Sequence, residues 1–444
     1  MPFLIVPNEA FGDTATIWVG AIDENFDPAV TVLEYGSNQI PLNANWIDYP
    51  PGGQGRIRYQ RVPLSNLQPR TRYDLVLRIG GVARADGVVT TIPYRLPSVG
   101  EPPFIVFLGS CFYGREDPSG YVGQTYVDLP TAAKPDIKFL CGDQVYLDNP
   151  PQDFINPLRS HEWLKARSLQ TYVNNWTQYT QAGGFNRLLK HNANFFTSDD
   201  HEFWNNAPDI GLNVPLWTAK ESSRDKWMQL GRELYSAFQT TPGFPFSFAV
   251  EPLSFCVAET RFNRGKGGSS LMVPEAFERI GEWARTLKGP GVLVLGQPFF
   301  ANAGSRFGQA KDRGLPDYAQ QYEQLKQYLR SSSHSIVILT GDVHYGRLSY
   351  ATLRPELGTR LYEVISSPMQ LVPGGGGEYE KPPQVFGSVI GEEEFSRRRG
   401  HFLTLEFNAP SAQRASMLVR FWPIIQKGVP SQAQIVGKGP YELI

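Results

Sequence analysis

Four apolar segments that read as β-strands each end in side chains able to bind metal ions. In an open α/β sheet, ligands bind outside the carboxyl ends of the strands, so the four ends can converge in one place. Carboxylates, a thiol, a phenol and imidazoles together suit iron, zinc or manganese, with harder cations on the carboxylate side. The segments and the residues after them are FIVFLG with Cys111, IKFLC with Asp143 and Tyr146, NFFTS with Asp199 to Glu202, and SIVILTG with Asp342 and His344.

The third of these ends, DDHE, crowds three carboxylates into four residues. Like charges this close repel one another, and a bound cation is usually the largest local charge and reverses that repulsion. We therefore predict that at least one member of DDHE faces a metal ion. The fourth end agrees with this interpretation, because Asp342 and His344 are two residues apart and point the same way on an extended strand end.

Composition limits the remaining possibilities. The chain has 444 residues, 41% apolar and 19% charged, which describes a folded protein long enough for two domains. Lys plus Arg total 42 against 43 for Asp plus Glu, so no basic surface for nucleic acid is expected. No apolar run is long enough to span a bilayer. The sequence does not indicate an oligomeric state. We expect Cys141 and Cys256 to be buried thiols.

The pattern of elements changes near residue 97. Before it, short β-branched segments alternate with turns, and Tyr73 follows a proline-containing corner, which is typical of immunoglobulin-like sandwiches. After it, apolar strands alternate with amphipathic segments, as in an α/β domain whose sheet is covered by helices on both faces. The predicted helical segments are Asn156 to Gln181, Leu216 to Phe238, Pro274 to Leu287 and Asp317 to Leu329, and two strands are expected in HFLTLEF and SMLVRFW.

The motif order Cys111, GDQVY, DDHE and GDVH resembles the alkaline phosphatase D (PhoD-like) family of the calcineurin-like metallophosphoesterases. The resemblance covers most of residues 100 to 370, although that family usually has Asp where this chain has Glu259. It implies an α/β (α+β) protein. Residues 1–96 would form a fibronectin- or immunoglobulin-like β-sandwich, and residues 97–444 a four-layer αββα metallophosphatase domain.

The resemblance also implies roles for single residues. Asp143 would bridge two metal ions, and Cys111, Tyr146 and His344 would bind the more oxidised one, iron. Asp200 and Asp342 would hold the second ion, whose oxygen-rich surroundings favour calcium, with manganese, zinc or magnesium as alternatives. His201 would stabilise or protonate the transition state. The implied activity is hydrolysis of small phosphate monoesters or diesters by a metal-activated hydroxide.

Two arginines are candidates for holding the substrate. Arg261 and Arg264 follow a strand end closely, and a guanidinium can hold phosphoryl oxygens by paired hydrogen bonds. The alternative for both is an ordinary solvated charge.

Two other functions stay open. Paired metal ions also activate water against amides and sulfate esters, so a different dimetal hydrolase is the nearest rival. A metal-stabilised binding module without catalysis is the second. The N-terminus lacks a basic segment, a twin arginine and a cleavage site, so we expect a cytoplasmic protein, although members of the resembling family are often exported.

Overall fold

The computed structural model shows a mixed α/β protein. Its described residues form four β-sheets and seven α-helices. None of these helices is both long and apolar enough to cross a membrane. The described residues are 3–51, 56–156, 159–178, 183–241, 243–305, 312–370, 380–386, 396–397, 400–424 and 435–444.

The first two sheets are antiparallel, have four strands each and lie within residues 3–90. The hydroxyl of Tyr73 accepts the backbone N–H of Gln68 at 2.8 Å, which is the bond expected of the predicted corner. The first sheet has the order β1-β2-β6-β5, with β1 Phe3–Ala10, β2 Ala15–Ile22, β5 Ile47–Tyr49 and β6 Ile57–Leu64. The second has the order β4-β3-β7-β8, with β3 Thr31–Tyr35, β4 Asn38–Pro41, β7 Arg72–Ile79 and β8 Val82–Thr90.

The third sheet has six strands and carries three of the four metal-type strand ends. Its first three strands run parallel, and the next three pair antiparallel, as expected for HFLTLEF and SMLVRFW. Its order is β11-β10-β9-β19-β20-β21, with β9 Phe104–Gly109, β10 Ile137–Cys141, β11 Ala193–Thr197, β19 His401–Ser411, β20 Arg414–Pro423 and β21 Val436–Leu443.

The fourth sheet has seven strands and carries the remaining strand end. Four of its strands are parallel neighbours, and antiparallel strands flank them on both sides. Its order is β12-β13-β14-β15-β17-β16-β18, with β12 Phe246–Val250, β13 Leu253–Val257, β14 Gly291–Val294, β15 Ile336–Thr340, β16 Gly346–Arg354, β17 Thr359–Ile365 and β18 Ser396–Arg397.

The helices follow the amphipathic segments of the sequence. The second helix begins where the Ser160 side chain accepts the N–H of Trp163 at 3.2 Å, and the sixth begins with Pro274 in its first turn. The segment predicted from Leu216 divides into two helices. The helices are α1 Tyr121–Val127, α2 His161–Thr177, α3 Phe185–Leu189, α4 Pro215–Thr218, α5 Glu221–Phe238, α6 Pro274–Thr286 and α7 Ala319–Ser331.

The expectation of one sheet covered by helices on both faces is wrong, because the strands after residue 97 divide between two sheets. Apolar side chains from both of these sheets, such as Phe139 and Val337, belong to one core cluster that contains no described helical residue. The apolar faces of the helices belong to two other clusters. An alternating β and α pattern does not reveal the point at which the chain changes sheet.

Strand β2 shows how the N-terminal sheets join the rest of the protein. Ile17 and Val19 belong to the core cluster shared by the sheets, whereas Trp18, on the opposite face, belongs to a cluster with helical residues. The indole of Trp18 stacks on Phe238 and donates to the carbonyl of Ala237 at 2.8 Å. Burial on both faces explains why ATIWVGAI is apolar almost throughout.

Buried side-chain amides connect strand β1 with the loop after β10. Asn8 donates to the backbone carbonyl of Gln239. The side-chain amide of Gln239 in turn donates to Gln144 Oε1 at 2.8 Å. Gln144 then donates to the carbonyl of Gly142 at 2.7 Å, and Tyr172 donates to Gln239 Oε1 at 2.8 Å. Because buried polar groups are costly when unpaired, this amide relay fixes the loop that carries Asp143.

Candidate metal centre

The four predicted strand ends meet at one place, between the third and fourth sheets. The Sγ atom of Cys111 lies 3.5 Å from Asp143 Oδ2 and 3.5 Å from the carbonyl oxygen of Asp342. The hydroxyl of Tyr146 lies 3.4 Å from His344 Nε2. The last two of these contacts join loops that are separated by more than 190 residues along the chain.

Two glycines allow this close approach. A Cβ atom on Gly142 would lie 2.5 Å from the Cβ atom of Asp199, and the φ of Gly142 is +82°. A Cβ atom on Gly341 would lie 2.3 Å from Ser110 Oγ. Both positions therefore need glycine, and each directly precedes a predicted metal-binding aspartate.

Carboxylates dominate the centre of the cluster. In one group, four aspartates each have a carboxylate oxygen within 4.8 Å of the others. In a second group, two of these aspartates and His201 have ligand atoms within the same distance of one another. The four are Asp143, Asp199, Asp200 and Asp342, and the second group is Asp143, Asp200 and His201.

Four of the eleven described non-glycine residues with positive φ are predicted ligands. Non-glycine residues with positive φ are uncommon, and such strain clusters at functional sites. Cys111 is not a residue type that adopts this conformation readily, yet it does so here. The φ values are +56° at Cys111, +58° at Asp143, +72° at Asp342 and +58° at His344.

The buried groups of this cluster cannot all be ionised without a compensating charge. Burial, with the charge of Asp342 next, raises the pKa of the Cys111 thiol to about 12. Burial raises the pKa of Asp143 and of Asp342 well above the ordinary value, and neighbouring anions add to this. One oxygen of Asp199 is buried and receives no hydrogen bond from any described residue. A cation would supply both the missing charge and the missing partner, so the residues present fit metal ions.

One carboxylate of the DDHE segment avoids the repulsion by turning away from the other two. Glu202 does not face the cluster of aspartates: its carboxylate accepts the backbone N–H groups of Asp143, Gln144 and Asp199 at 2.8–2.9 Å. Burial raises the pKa of Glu202 to about 8, and these three donors act in the opposite direction. Glu202 therefore ties two site loops together, and its three backbone donors offset part of the cost of burying its carboxylate.

His201 has a buried acidic partner that the sequence reasoning missed. Its Nδ1 lies 2.7 Å from Asp148 Oδ1, and its ring packs on that of Tyr146 with centroids 4.2 Å apart. Burial alone would lower the pKa of His201, but the charges of Asp148, Asp200 and Asp143 outweigh it and raise that pKa well above the ordinary value. The only sequence signal was the position of Asp148 in the same loop as Asp143 and Tyr146.

Arg261 lies at the edge of the site, and its guanidinium group is hydrogen-bonded to other residues of the protein. Its Nε donates to Asp199 Oδ1 at 2.7 Å, and its terminal nitrogens donate to Asp312 at 3.2 Å and to the carbonyl of Ala207 at 3.0 Å. Its side chain is fully buried, which corrects the alternative of a solvated charge. Asp312, absent from the predicted site, is thus a further carboxylate beside it.

Arg264 is also buried rather than solvated. It donates to the carbonyls of Thr260 and Arg313, both at 3.1 Å, and lies over the ring of Tyr318. Neither arginine extends toward open solvent in this structure, so their placement does not favour the predicted contact with substrate phosphoryl oxygens.

Two more residues support the site from the fourth sheet. Gln297 donates to Asp342 Oδ2 at 3.2 Å. Glu259 accepts from Ser198 N, Ser198 Oγ and Arg261 N at 2.7–2.9 Å, and so joins the strand end before DDHE to the arginine segment. Glu259 acts as a structural acceptor.

The fold and the site together define a mixed α/β protein with an acidic cluster at its strand ends that can hold metal ions. A solved structure described as "Structure of PhoD" is similar, with a TM-score of 0.65, 15% sequence identity, and coverage of 98% of this chain and 92% of that chain. The chain therefore has a PhoD-like fold. No protein-family model matches the sequence, and no curated protein matches it.

Proposed function

We propose that this protein is a metal-dependent phosphoesterase that hydrolyses phosphate monoesters or diesters. The observation that carries the proposal is the meeting of four strand ends in one place: three of them supply a cluster of possible metal ligands, and Cys111 at the fourth lies 3.5 Å from Asp143 Oδ2. The similarity to a PhoD structure over nearly the whole chain supports it. The positive φ of Cys111, a residue type that rarely adopts it, supports the proposal independently, because such strain clusters at functional sites.

Two cations suit the donor set. The sulfur, phenol and imidazole side favours iron, and the carboxylate side favours calcium, with manganese, zinc or magnesium as alternatives. Ions bound there would activate water and offset the charge of the phosphoryl group. The first ion would be held by Cys111, Asp143, Tyr146 and His344, and the second by Asp143, Asp200 and Asp342.

We assign His201 the role of proton donor to the leaving oxygen. Asp148 holds the ring through Nδ1, which leaves Nε2 to face the substrate. The contact of Nδ1 with the buried carboxylate of Asp148 favours the imidazolium form, and a positioned acid of this kind contributes about 10²–10⁴-fold to a rate. Asp148 is then a positioning residue, because it acts through His201.

We assign Arg261 and Arg264 a different role from phosphoryl binding. Arg261 has its donors committed to Asp199, Asp312 and a carbonyl, so contact with substrate would require exchange of buried bonds. Its charge instead offsets part of the carboxylate cluster. Arg264 holds the segment that carries Arg261.

We further propose the finer architecture. Residues 1–96 would be a fibronectin- or immunoglobulin-like sandwich, and residues 97–444 a four-layer αββα domain. The two antiparallel sheets before residue 97 support the first part. The core shared by the strands of the two larger sheets, with helical faces in separate clusters, supports the second.

The activity is tested with a panel of esters and amides. Purified protein is incubated with p-nitrophenyl phosphate, bis(p-nitrophenyl) phosphate, p-nitrophenyl sulfate and a p-nitroanilide, each with and without chelator. We expect turnover of a phosphate ester that chelation removes and that added metal restores. Turnover of the sulfate or the anilide alone would indicate another hydrolase class, and metal binding without any turnover would indicate a binding module.

A further inference from the structure

A fifth strand end reaches the candidate metal centre, although residues 366–370 after it include no carboxylate or imidazole. β17 is the parallel neighbour of β15 and ends at Ile365. The chain after it runs beside the loop after β9. There the N–H of Met369 donates to the carbonyl of Ser110 at 2.8 Å. The N–H of Gln370 donates to the carbonyl of Cys111 at 3.0 Å. These bonds join the fourth sheet to the third next to the predicted thiol ligand.

Ser367 contacts two predicted ligands through a single atom. Its Oγ donates to Cys111 Sγ at 3.1 Å and accepts the backbone N–H of His344 at 3.0 Å. A hydroxyl has one hydrogen to donate, and Cys111 Sγ is the acceptor that the described residues offer it. Ser367 is 0% exposed, so bulk water does not compete for either bond. The serine therefore links the loops after β9 and β15 at their ligands.

The other serine beside this sulfur is bonded elsewhere. Ser110 Oγ lies 3.4 Å from Cys111 Sγ but only 2.8 Å from the carbonyl oxygen of Ser366, to which it donates. A carbonyl oxygen is a stronger acceptor than sulfur, and the hydroxyl of Ser110 also has one hydrogen. The donor to the sulfur is therefore Ser367, and Ser110 fixes the chain that carries it.

We propose that Ser367 is a positioning residue of the first metal ion, and that its hydrogen bond sets how strongly the sulfur of Cys111 binds that ion. The inference rests on the proposed function, because it takes the ion to be bound by Cys111 and His344. A hydrogen bond to a metal ligand orients that ligand and tunes its electron donation. The same hydroxyl holds the backbone of His344, so one substitution disturbs two ligands of the first ion.

The test uses cobalt(II) as a probe, because its absorption includes a sulfur-to-metal charge-transfer band when a thiolate is bound. The full-length chain is treated with chelator, desalted and titrated with cobalt(II), beside a thermal melt that confirms folding. Cys111→Ser, which should lack the band, identifies it. We expect Ser367→Ala to keep the band at a longer wavelength, because a sulfur without the hydrogen bond holds its electrons less tightly. Cobalt should also bind this variant about 10–100-fold more weakly.

Ser349→Ala is the matched control. Ser349 is a 0% exposed serine of β16 in the same sheet, and its hydroxyl has no hydrogen-bond partner among the described residues. This variant also loses one buried hydroxyl, yet it should keep the wild-type band and affinity. A purely structural role of Ser367 would lower the melting temperature of Ser367→Ala without moving its band.

An unmoved band or an unchanged affinity in folded Ser367→Ala would overturn the proposal, and so would a wild-type protein without the band. If Ser367→Ala does not fold, Ser367→Thr keeps the hydroxyl and should bind cobalt as the wild type does. A folded threonine variant without the band would then overturn the proposal. Ester hydrolysis is measured on the same samples. A shifted band in a protein that hydrolyses no ester would overturn the proposed function and leave the role of Ser367 in place.

Discussion

Replacing Asp148 with asparagine removes the charge that keeps His201 protonated. The two side chains lie 2.7 Å apart, and the side chain of Asp148 is 0% exposed against 13% for His201, so the contact is poorly screened by solvent. Each unit by which the pKa of His201 falls corresponds to about 1.4 kcal/mol. Asp148 also accepts the N–H of Asn205 at 2.8 Å. The substitution reduces the acceptors for these buried donors, which costs about 1–3 kcal/mol of stability.

The assay compares two leaving groups. p-Nitrophenolate leaves without a proton, whereas an alkoxide needs one, so a lost acid slows hydrolysis of an alkyl phosphate selectively. We expect Asp148→Asn to lower kcat/KM for an alkyl phosphate by about 10²–10⁴-fold and to change that for p-nitrophenyl phosphate much less. Asp225→Asn, at an exposed carboxylate, is the control. Equal losses for both substrates at unchanged metal content would refute the assignment of His201.

In the metal-free protein, the same pair predicts a dependence of stability on pH. Because the folded pKa of His201 is raised, its contribution is complete below the unfolded value of about 6.5 and is lost as the pH rises through the folded value. Despite its burial, the charge of His201 lowers the pKa of Asp148, so that contribution is lost as the pH falls below about 4. The difference in unfolding free energy between wild type and Asp148→Asn should therefore be largest between these limits. A difference that is constant from pH 4 to pH 10 would contradict this.

Three further predictions concern other parts of the site. His344→Ala should lose bound metal and nearly all activity, whereas His334→Ala, just before the opposite end of β15, should lose neither; elemental analysis and the phosphatase assay measure the two. Arg261→Met should lower the unfolding free energy by about 3–5 kcal/mol in denaturant titrations, because it leaves buried carboxylates without their cation, and a loss below about 1 kcal/mol would contradict this. Gln239→Leu removes the side-chain bonds to Gln144 and Tyr172 and keeps the backbone carbonyl that accepts from Asn8, so it should lower both the melting temperature and the metal content; an unchanged metal content would show that the relay does not position the site.

The sequence was informative where the chemistry is local. Each strand that ends in a metal-type residue is a contiguous apolar run, so the strand and the side chains after it can be read together. The structure brings Cys111, Asp143, Tyr146, Asp342 and His344 to one place, as the convergence of strand ends predicts. Their assignment to particular metal ions stays a prediction.

The sequence was uninformative where burial and long-range pairing decide. Arg261 follows a strand end in a polar segment, and nothing local indicates that it is enclosed by carboxylates from two other loops. In the sequence, Glu202 cannot be distinguished from a carboxylate that binds metal. In the structure, its carboxylate accepts three backbone N–H groups instead. Asp148 does not directly follow a strand. The criterion that identified Asp143, a carboxylate directly after an apolar strand, therefore does not identify Asp148. The division into two sheets depends on pairing between distant strands, such as β9 with β19.

The central claim is that the strand ends bind metal ions, and elemental analysis of purified protein measures this most directly. Wild type and Asp143→Asn are compared after the same loading and desalting, beside a thermal melt that confirms folding. The predicted result is two ions per wild-type chain, iron with calcium or another divalent ion, and a clear loss of both in the folded variant. Wild-type protein that retains no metal, or a folded variant that retains as much as wild type, would contradict the assignment.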